Sequence, residues 1–234
     1  MQPRSSSRSR RTAFLALVVG TIIAALIAAT VPTYSLNTHR TGRLDNRGFP
    51  RHYTDDRGMM LRLCEDGTIR CLGAVPGDLV APDGEAFYWM ATSRMRTRRG
   101  PIDVEFALEA AFAGQRPIVF QRLRIRGHLN HRGRYFLEHP YGRTRFRAIT
   151  PREQRNVDLT IDRFCSLERH GRCNGPIDTF LRARNRPPGY AGFGGRRTRV
   201  KGGTFRNDMT LMTRRGKVIG RTDRFVIIGQ RVRG

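Results

Sequence analysis

After its first 31 residues this chain has few serines, and they occur only at Ser35, Ser93 and Ser166. A serine hydrolase of the common kind carries its nucleophile on a sharp turn that the motif G-x-S-x-G marks. None of the three serines stands in that motif, and Ser166 is adjacent to Cys165. The sequence therefore argues against covalent catalysis by serine, and we assign no catalytic residue from it.

Cysteine is also scarce, and the four cysteines fall into two close pairs. Each pair encloses turn residues, so in an oxidising compartment we predict the local disulfides Cys64–Cys71 and Cys165–Cys173. A zinc site built from all four is the alternative, but structural zinc usually has about two to four residues between paired cysteines. Paired thiols leave no cysteine nucleophile, and we predict neither a metal site nor another cofactor.

Lysine and acidic residues are few, whereas arginine is abundant. Lysine occurs only at Lys201 and Lys217 among 44 basic residues, and the 19 acidic residues leave a formal net charge of +25. Such a chain adheres to anionic surfaces, and arginine binds phosphate, sulfate or carboxylate in a bidentate manner that lysine cannot reproduce. A bias toward GC-rich codons would also produce arginine in place of lysine evenly along the chain. The excess of arginine over lysine therefore indicates either anion binding or codon bias.

Long hydrophobic runs are absent except for one, which covers residues 13–31 and follows a basic N-terminus. Pro32 ends this run. Its length and flanks are typical of an uncleaved signal-anchor helix or of a cleaved signal peptide. We therefore predict a signal region at residues 1–31, with membrane contact through residues 13–31, followed by a polar tether at residues 32–47 and an exported remainder.

Alternation of apolar and polar residues dominates the rest of the chain. In VEFALEAAF the apolar residues from Val104 to Phe112 follow a two-residue period, which predicts a strand. Similar segments recur about every ten residues with turn residues between them, as in antiparallel sandwiches and barrels. The predicted fold class is mainly β, an antiparallel β-sandwich (immunoglobulin-like or jelly-roll-like) preceded by one N-terminal hydrophobic helix. We place the β-sandwich domain at residues 48–149 and a second β region, packed into the same domain or separate, at residues 150–234.

Several of these strands carry predictions about their faces. In EAFYWMATSRM we expect Phe87 and Trp89 on one face and Tyr88 and Met90 on the other. In RYFLEH the residues Tyr135, Leu137 and His139 share a face. A terminal hairpin is predicted around Arg215-Gly216.

The arginines between residues 108 and 148 alternate with apolar residues. In IVFQRLRIRG, Leu123 and Ile125 share one face and the arginines at positions 122, 124 and 126 share the other. One interpretation is the solvated face of a half-buried sheet. The other is an anion-binding face, formed across neighbouring strands by these candidate residues: Arg122, Arg124, Arg126, Arg145 and Arg147.

Paired carboxylates are the remaining route to catalysis, because the two acids of a glycosidase need not be close in sequence. The candidates are Asp103, Glu105, Glu109 and Glu138. Ion pairs with the nearby arginines are the alternative role for them. Such surroundings also predict lowered carboxyl pKa values, which suit a general acid poorly.

Several stretches of the chain resemble, in the same order, those of a group of exported bacterial proteins. They are GFPRHYTDDRGMMLRLCEDG, EAFYWMA, LEAAFA, IVFQRLRIRG, EHPYG, FLRARNRPPGYAG and GRTDRFVIIG. The resemblance extends from about Gly48 to Gln230 and concerns structural positions rather than catalytic ones. It implies an exported, β-rich protein of the bacterial surface and implies no reaction and no site residue. This chain departs from the group in its high arginine content and in lacking an LPxTG-type sorting motif.

The function that these patterns favour is that of an exported, non-enzymatic surface protein. Its expected partner is an anionic polymer of the cell envelope or a phospholipid surface, bound by electrostatic attraction that salt weakens. Two alternatives remain, a carbohydrate-active enzyme and a protein that binds extracellular nucleic acid through the same arginines. Export would separate the protein from intracellular DNA, so nucleic acid is the less favoured partner.

Overall fold

The computed structural model describes residues 40–65, 67–71, 84–150, 155–167 and 172–232. Within these ranges the chain forms sixteen β-strands and one short 3-10 helix at Ile69–Cys71. The strands are β1 (Arg40–Thr41), β2 (His52–Thr54), β3 (Met60–Arg62), β4 (Glu85–Thr97), β5 (Gly100–Ala113), β6 (Arg116–Gly127), β7 (Gly133–His139), β8 (Gly142–Ala148), β9 (Val157–Ser166), β10 (Arg172–Cys173), β11 (Arg182–Ala183), β12 (Thr198–Lys201), β13 (Met209–Thr213), β14 (Val218–Thr222), β15 (Arg224–Ile228) and β16 (Gln230–Arg231).

The strands form three sheets in which every pairing between named strands is antiparallel. The largest has eight strands in the order β10-β9-β6-β5-β4-β15-β12-β11. A four-stranded sheet, β14-β13-β7-β8, lies against one face of it, and a smaller sheet has the order β1-β2-β3-β16. The predicted mainly β, antiparallel, sandwich-like fold is thus confirmed, whereas the predicted N-terminal helix lies outside the described residues.

The core lies between the eight-stranded sheet and the β14-β13-β7-β8 sheet. Phe106 and Leu108 on β5 and Tyr135 and Leu137 on β7 are buried, as their two-residue spacing predicted. The rings of Phe106 and His139 approach to 5.2 Å and join the two layers. Apolar residues on the facing sides of the two sheets therefore hold the sandwich together.

Strand β4 departs from the regular alternation that its sequence suggested. The register shifts between Phe87 and Trp89, which is a β-bulge opposite β5. A bulge inserts one extra residue and changes which side chains face the core. Phe87 lies opposite Glu109 and Trp89 opposite Leu108, two adjacent residues of β5, so the expectation that Phe87 and Trp89 share a face was wrong. The Tyr88 ring packs on Tyr53 of the small sheet at 4.7 Å.

Strands from both predicted β segments share the same sheets. From residues 150–234, β9 pairs with β6, β15 pairs with β4 and β13 pairs with β7. By the density of contacts, Tyr34–Gly234 forms one compact unit. The described end of the predicted tether also belongs to this unit, because β1 pairs with β2 and Leu44 bridges Pro50.

Both predicted disulfides are confirmed, as Cys64–Cys71 and Cys165–Cys173. The second one joins residues that face each other across β9 and β10, and the first ends at the 3-10 helix. In the described part of the chain, no helix has the length and the apolar character that crossing a membrane requires. The predicted membrane segment at residues 13–31 lies outside that part.

Candidate anion-binding site

The outward face of β6 carries three of the five arginines of the predicted binding face, and each of these three has an acidic partner. The antiparallel register places Arg122 opposite Asp162, Arg124 opposite Glu105, and Arg126 between Asp103 and Asp158. The closest nitrogen–oxygen distances are 2.8 Å for Arg122–Asp162, 3.4 Å for Arg124–Glu105 and 3.2 Å for Arg126–Asp158. Opposite charges facing each other across strands stabilise a sheet, so these arginines are already neutralised within the protein.

Arg122 is the most extensively paired of the three. It binds Asp162 through two hydrogen bonds of 2.8 and 2.9 Å and donates a third, of 2.9 Å, to Oε2 of the fully buried Glu109. Glu85 lies 3.6 Å away. Only 9% of the residue is exposed, and three carboxylates occupy its guanidinium group. Arg122 therefore links β6 to three other strands and has little capacity left for an external anion.

Glu109 differs from the expectation of a lowered pKa. Burial raises the pKa of its carboxyl group to about 8, although the Arg122 charge acts in the opposite direction. Its Oε1 atom is buried and has no hydrogen-bond partner. The nearby acids Glu85 and Glu105 raise this pKa further, so the Arg122 guanidinium does not offset the cost of removing the Glu109 charge from water. Glu109 therefore holds its proton to a higher pH than an exposed carboxyl group does.

The other candidate carboxylates are also paired with arginine. Asp103 lies 4.0 Å from Arg94, and Glu138 forms an ion pair with Arg206. Asp103 and Glu105 line a cavity of about 280 Å³ on the outward face of the large sheet, whose charged lining also contains these arginines: Arg94, Arg124, Arg126 and Arg197. Positive and negative groups are thus mixed along this whole face.

The second sheet has a different arrangement at one of its ends. Antiparallel pairing places the first residues of β7 beside the last residues of β8, with Gly133 opposite Ala148. It also places the end of β13 beside the same part of β7, with Thr213 opposite Tyr135. The β4–β5 turn joins them, because the backbone N–H of Asn130 donates to the Arg99 carbonyl at 2.7 Å. Four separate parts of the chain therefore meet at one place.

A cleft of about 860 Å³ opens where these four parts meet. Seven cationic side chains line it, and no carboxylate among the described residues does. We call it the cationic cleft and define it by these residues: Arg99, Arg132, Arg134, Arg147, Arg214, Arg215 and Lys217. A concave surface that bears one sign of charge concentrates the field and attracts counter-ions.

Like charges face each other directly within the cationic cleft. Arg134 on β7 lies opposite Arg147 on β8, and both side chains are exposed. Like charges directly across two strands destabilise the pair, and no described carboxylate forms an ion pair with either residue. A bound anion would relieve this repulsion.

Arg99 is held at the floor of the cationic cleft by Tyr135. Its Nη1 atom donates to the Tyr135 hydroxyl at 3.1 Å, and its guanidinium carbon lies 5.8 Å from the centre of that ring. The buried Tyr135 hydroxyl in turn donates to the His131 carbonyl at 2.7 Å. One cation of the cleft is thus fixed in position, while the arginines around it are exposed.

The structure divides the predicted binding residues between two places. Arg147 lies in the cationic cleft, and Arg145 follows the same exposed side of β8 two residues away, opposite Phe136. Arg122, Arg124 and Arg126 lie on the other sheet. Six cleft residues lie outside that candidate list, in the β4–β5 turn, the β6–β7 loop, the start of β7 and the turn between β13 and β14: Arg99, Arg132, Arg134, Arg214, Arg215 and Lys217. The basic hairpin at Arg215-Gly216 was the one signal available for them.

No group of three or more histidine, cysteine, aspartate or glutamate residues in the described ranges is arranged to hold a metal ion. His139 is buried, and burial lowers the pKa of its imidazole to about 4. Its Nε2 lies 2.9 Å from the Thr144 hydroxyl, and its Nδ1 accepts the Tyr141 backbone N–H at 3.3 Å. His139 is a neutral core residue bonded on both sides of its ring.

Comparisons with known proteins give no relative for this arrangement. No family model matches the chain, and no curated protein and no solved structure matches it either.

Proposed function

We propose that this chain is an exported, non-enzymatic protein of the bacterial surface that binds an anionic envelope polymer through the cationic cleft. The observation that carries the proposal is the lining of the cleft, in which seven cations occur without a described carboxylate. The arginines of β6 provide the contrast, because each of them has an acidic partner across the sheet. The cationic cleft thus holds positive charge that no described carboxylate compensates, in contrast to the β6 arginines.

The shape and chemistry of the cationic cleft suit a polymer better than a single small anion. Its volume of about 860 Å³ is large for one charged group, and its cations come from four parts of the chain. Six of the seven are arginines, whose planar guanidinium groups bind phosphate and carboxylate with two parallel hydrogen bonds. A chain of repeating phosphates or acidic sugars would contact several of them at once.

The exported location is supported by the sequence and by the disulfides. The basic N-terminus and the apolar run at residues 13–31 are typical of an export signal or anchor. Both disulfides are present, and structural disulfides persist mainly in oxidising compartments. In that location the polymers of the envelope and its phospholipid head groups are the abundant anions.

The test is a comparison of two triple variants with equal net charge. In Arg132/Arg134/Arg147→Gln the changes lie in the cationic cleft, and in Arg94/Arg124/Arg126→Gln they lie on the compensated face of the large sheet. Binding of the full-length oxidised chain to a polyol-phosphate polymer, a polyuronate, duplex DNA and neutral dextran is measured over a salt series. We expect the cleft variant to bind its polymer about ten- to hundredfold more weakly than wild type, because each exposed charge contact contributes up to about 1 kcal/mol.

The control separates a site from general electrostatic attraction. Both variants lose three positive charges, so unspecific adhesion falls equally in both, and the remaining difference reports position. Equal weakening of the two variants would contradict the proposal. Tighter binding to duplex DNA than to either envelope polymer would identify extracellular nucleic acid as the ligand of the cleft. Tight binding to neutral dextran would show that charge does not drive the interaction.

A further inference from the structure

A third cavity, of about 460 Å³, lies where β3 meets β16 in the β1-β2-β3-β16 sheet. The pairing places Arg62 opposite Gln230 on one face and Arg231 opposite Leu61 on the other, and both arginines line the cavity. Tyr190 forms a β-bridge with Gln230, and the Arg231 backbone N–H donates to the Gly189 carbonyl at 2.8 Å. These contacts fix the loop that carries Tyr190 against β16. We call this cavity the Tyr190 pocket, lined by Arg62, Pro188, Tyr190, Gln230, Arg231 and Val232.

Positive charge in the Tyr190 pocket has no internal compensation among the described residues. Neither Arg62 nor Arg231 forms an ion pair there, and no described carboxylate lines the cavity. The Nε atom of Arg231 is buried without a hydrogen-bond acceptor. A buried donor without a partner is costly, more so when it is charged.

Further arginines increase the positive charge beside the pocket. The pKa of Arg186 is lowered, first by burial and then by the charges of Arg231 and Arg182. Arg186 is thus repelled by two neighbouring guanidinium groups, and one of them, Arg231, lines the pocket. Charge of one sign at a cavity raises the local concentration of counter-ions.

The pocket also has an oriented aromatic wall. The guanidinium carbon of Arg70 lies 5.1 Å from the centre of the Tyr190 ring, a distance at which a cation attracts the ring face. Arg70 itself is fixed, because its carbonyl accepts the Gly229 backbone N–H at 3.2 Å and the adjacent Cys71 is held by the disulfide to Cys64. Pro188 and Val232 add apolar surface.

We propose that the Tyr190 pocket binds one acidic sugar residue, a pyranose ring that carries a carboxylate. The carboxylate pairs with the guanidinium groups of Arg62 and Arg231, while the C–H faces of the ring pack against Tyr190, Pro188 and Val232. The volume of about 460 Å³ accommodates a ligand of one or two sugar rings. This site shares no lining residue with the cationic cleft, so the proposal stands or falls independently of polymer binding there.

Ligand titration of the full-length oxidised chain tests the site. The chain is kept in a nonionic polyoxyethylene detergent, whose head group contains no sugar, and the probes are glucuronate, glucose, glucose 6-phosphate and acetate. We expect saturable binding of glucuronate, with glucose and acetate each at least about tenfold weaker, because one lacks the charge-assisted hydrogen bonds and the other lacks the ring. Binding of glucose 6-phosphate as tight as that of glucuronate would change the recognised acid from carboxylate to phosphate and overturn the assignment.

Three variants decide whether the named residues form the site. Arg62→Gln and Arg231→Gln are each expected to weaken glucuronate binding about tenfold through loss of a charged hydrogen bond. Arg126→Gln, on the outward face of the large sheet, removes the same charge elsewhere and is expected to leave glucuronate affinity unchanged. Arg62 is exposed, so Arg62→Gln is expected to leave the fold intact. It therefore tests the site even if Arg231→Gln destabilises the protein. Unchanged affinity in Arg62→Gln, or equal affinity for glucose and glucuronate, would overturn the proposal.

Discussion

The environment of each arginine determines what its charge can do. Arg122 and Arg147 are the same residue type in neighbouring parts of one chain, yet Arg122 contacts three carboxylates whereas Arg147 faces Arg134. A guanidinium group that is saturated by internal acceptors holds strands together. One that faces another guanidinium group weakens its own sheet, and is therefore the better candidate for an external anion.

Glu109 leads to a prediction about stability and pH. Its carboxyl pKa is about 8 in the folded protein, against an ordinary value of 4.5, so the folded state retains a proton that the unfolded state has lost. Stability from this group is complete below about pH 4.5 and is lost as the pH rises to about 8, at up to about 1.4 kcal/mol per pH unit. We expect Glu109→Gln to gain stability relative to wild type over this range.

The measurement is denaturant unfolding of wild type and Glu109→Gln at intervals between pH 4.5 and 9. Other titrating groups, including His139, are common to both proteins and cancel in the difference between them. A difference that stays constant with pH, or one that changes in the opposite direction, would contradict the assignment of a neutral Glu109. A carboxyl ¹³C chemical shift of Glu109 that titrates near its ordinary value would contradict it independently.

At the scale of the elements, regular strands are predictable and their exceptions are not. The spacing of Val104, Phe106 and Leu108 predicted the buried face of β5, because a strand turns alternate side chains to opposite faces. The bulge in β4 depends on how β4 and β5 align, which one strand's own pattern does not contain. Phe87 and Trp89 were assigned to one face incorrectly for that reason.

The cationic cleft could not be predicted from the sequence for a related reason. Its members extend from Arg99 to Lys217 along the chain and meet only because β13, β7 and β8 are neighbours in one sheet. The β6 arginines were more conspicuous in the sequence, since they alternate within ten residues. Their acidic partners Asp158 and Asp162 belong to another strand, and only the register of β6 with β9 brings them opposite.

The two disulfides provide a matched pair of elements. Their sequence separations are 7 and 8 residues, so loop closure in the unfolded chain stabilises each by nearly the same amount, about 2.5 kcal/mol. They differ in the folded state, because Cys165–Cys173 joins an edge hairpin whereas Cys64–Cys71 anchors the 3-10 helix beside Gly229. We expect Cys64/Cys71→Ala to lower the free energy of unfolding more than Cys165/Cys173→Ala does.

Urea unfolding of the two double variants at one pH gives this comparison directly. The Cys64/Cys71→Ala variant is also expected to lose the Arg70 contact with Tyr190, and so to bind glucuronate more weakly. The Cys165/Cys173→Ala variant provides the control for both readouts. Equal losses of stability would mean that the 3-10 helix contributes nothing beyond loop closure.

At the scale of the whole molecule, the charge is distributed unevenly over a single packed unit. The outward face of β6 and its neighbours mixes positive and negative groups, whereas the cationic cleft and the Tyr190 pocket have no described carboxylate in their linings. The net charge of +25 is therefore not spread evenly over the surface of the protein. It leaves two concave surfaces where an anion gains most from binding.

The sharing of sheets between residues 48–149 and 150–234 leads to a prediction about cooperativity. Ile125 on β6, Leu211 on β13 and Ile227 on β15 are fully buried and belong to sheets that contain strands from both segments. Neither segment can bury these residues without the other. We expect one thermal transition in the described unit, with equal calorimetric and van't Hoff enthalpies. Ile125→Ala, Leu211→Ala and Ile227→Ala should each move that whole transition, at a cost of about 2–5 kcal/mol.

Differential scanning calorimetry of the full-length chain and the three variants distinguishes one cooperative unit from two. If the segments folded separately, Ile125→Ala would shift one transition, Leu211→Ala and Ile227→Ala would shift another, and each variant would leave the second transition in place. Separate folding would also allow the cationic cleft to open as the segments move, because Arg147 belongs to one segment and Arg214 to the other. A single transition that all three variants displace together would mean that both sides of the cleft are fixed by the same core, so that the cleft is formed before its anion arrives.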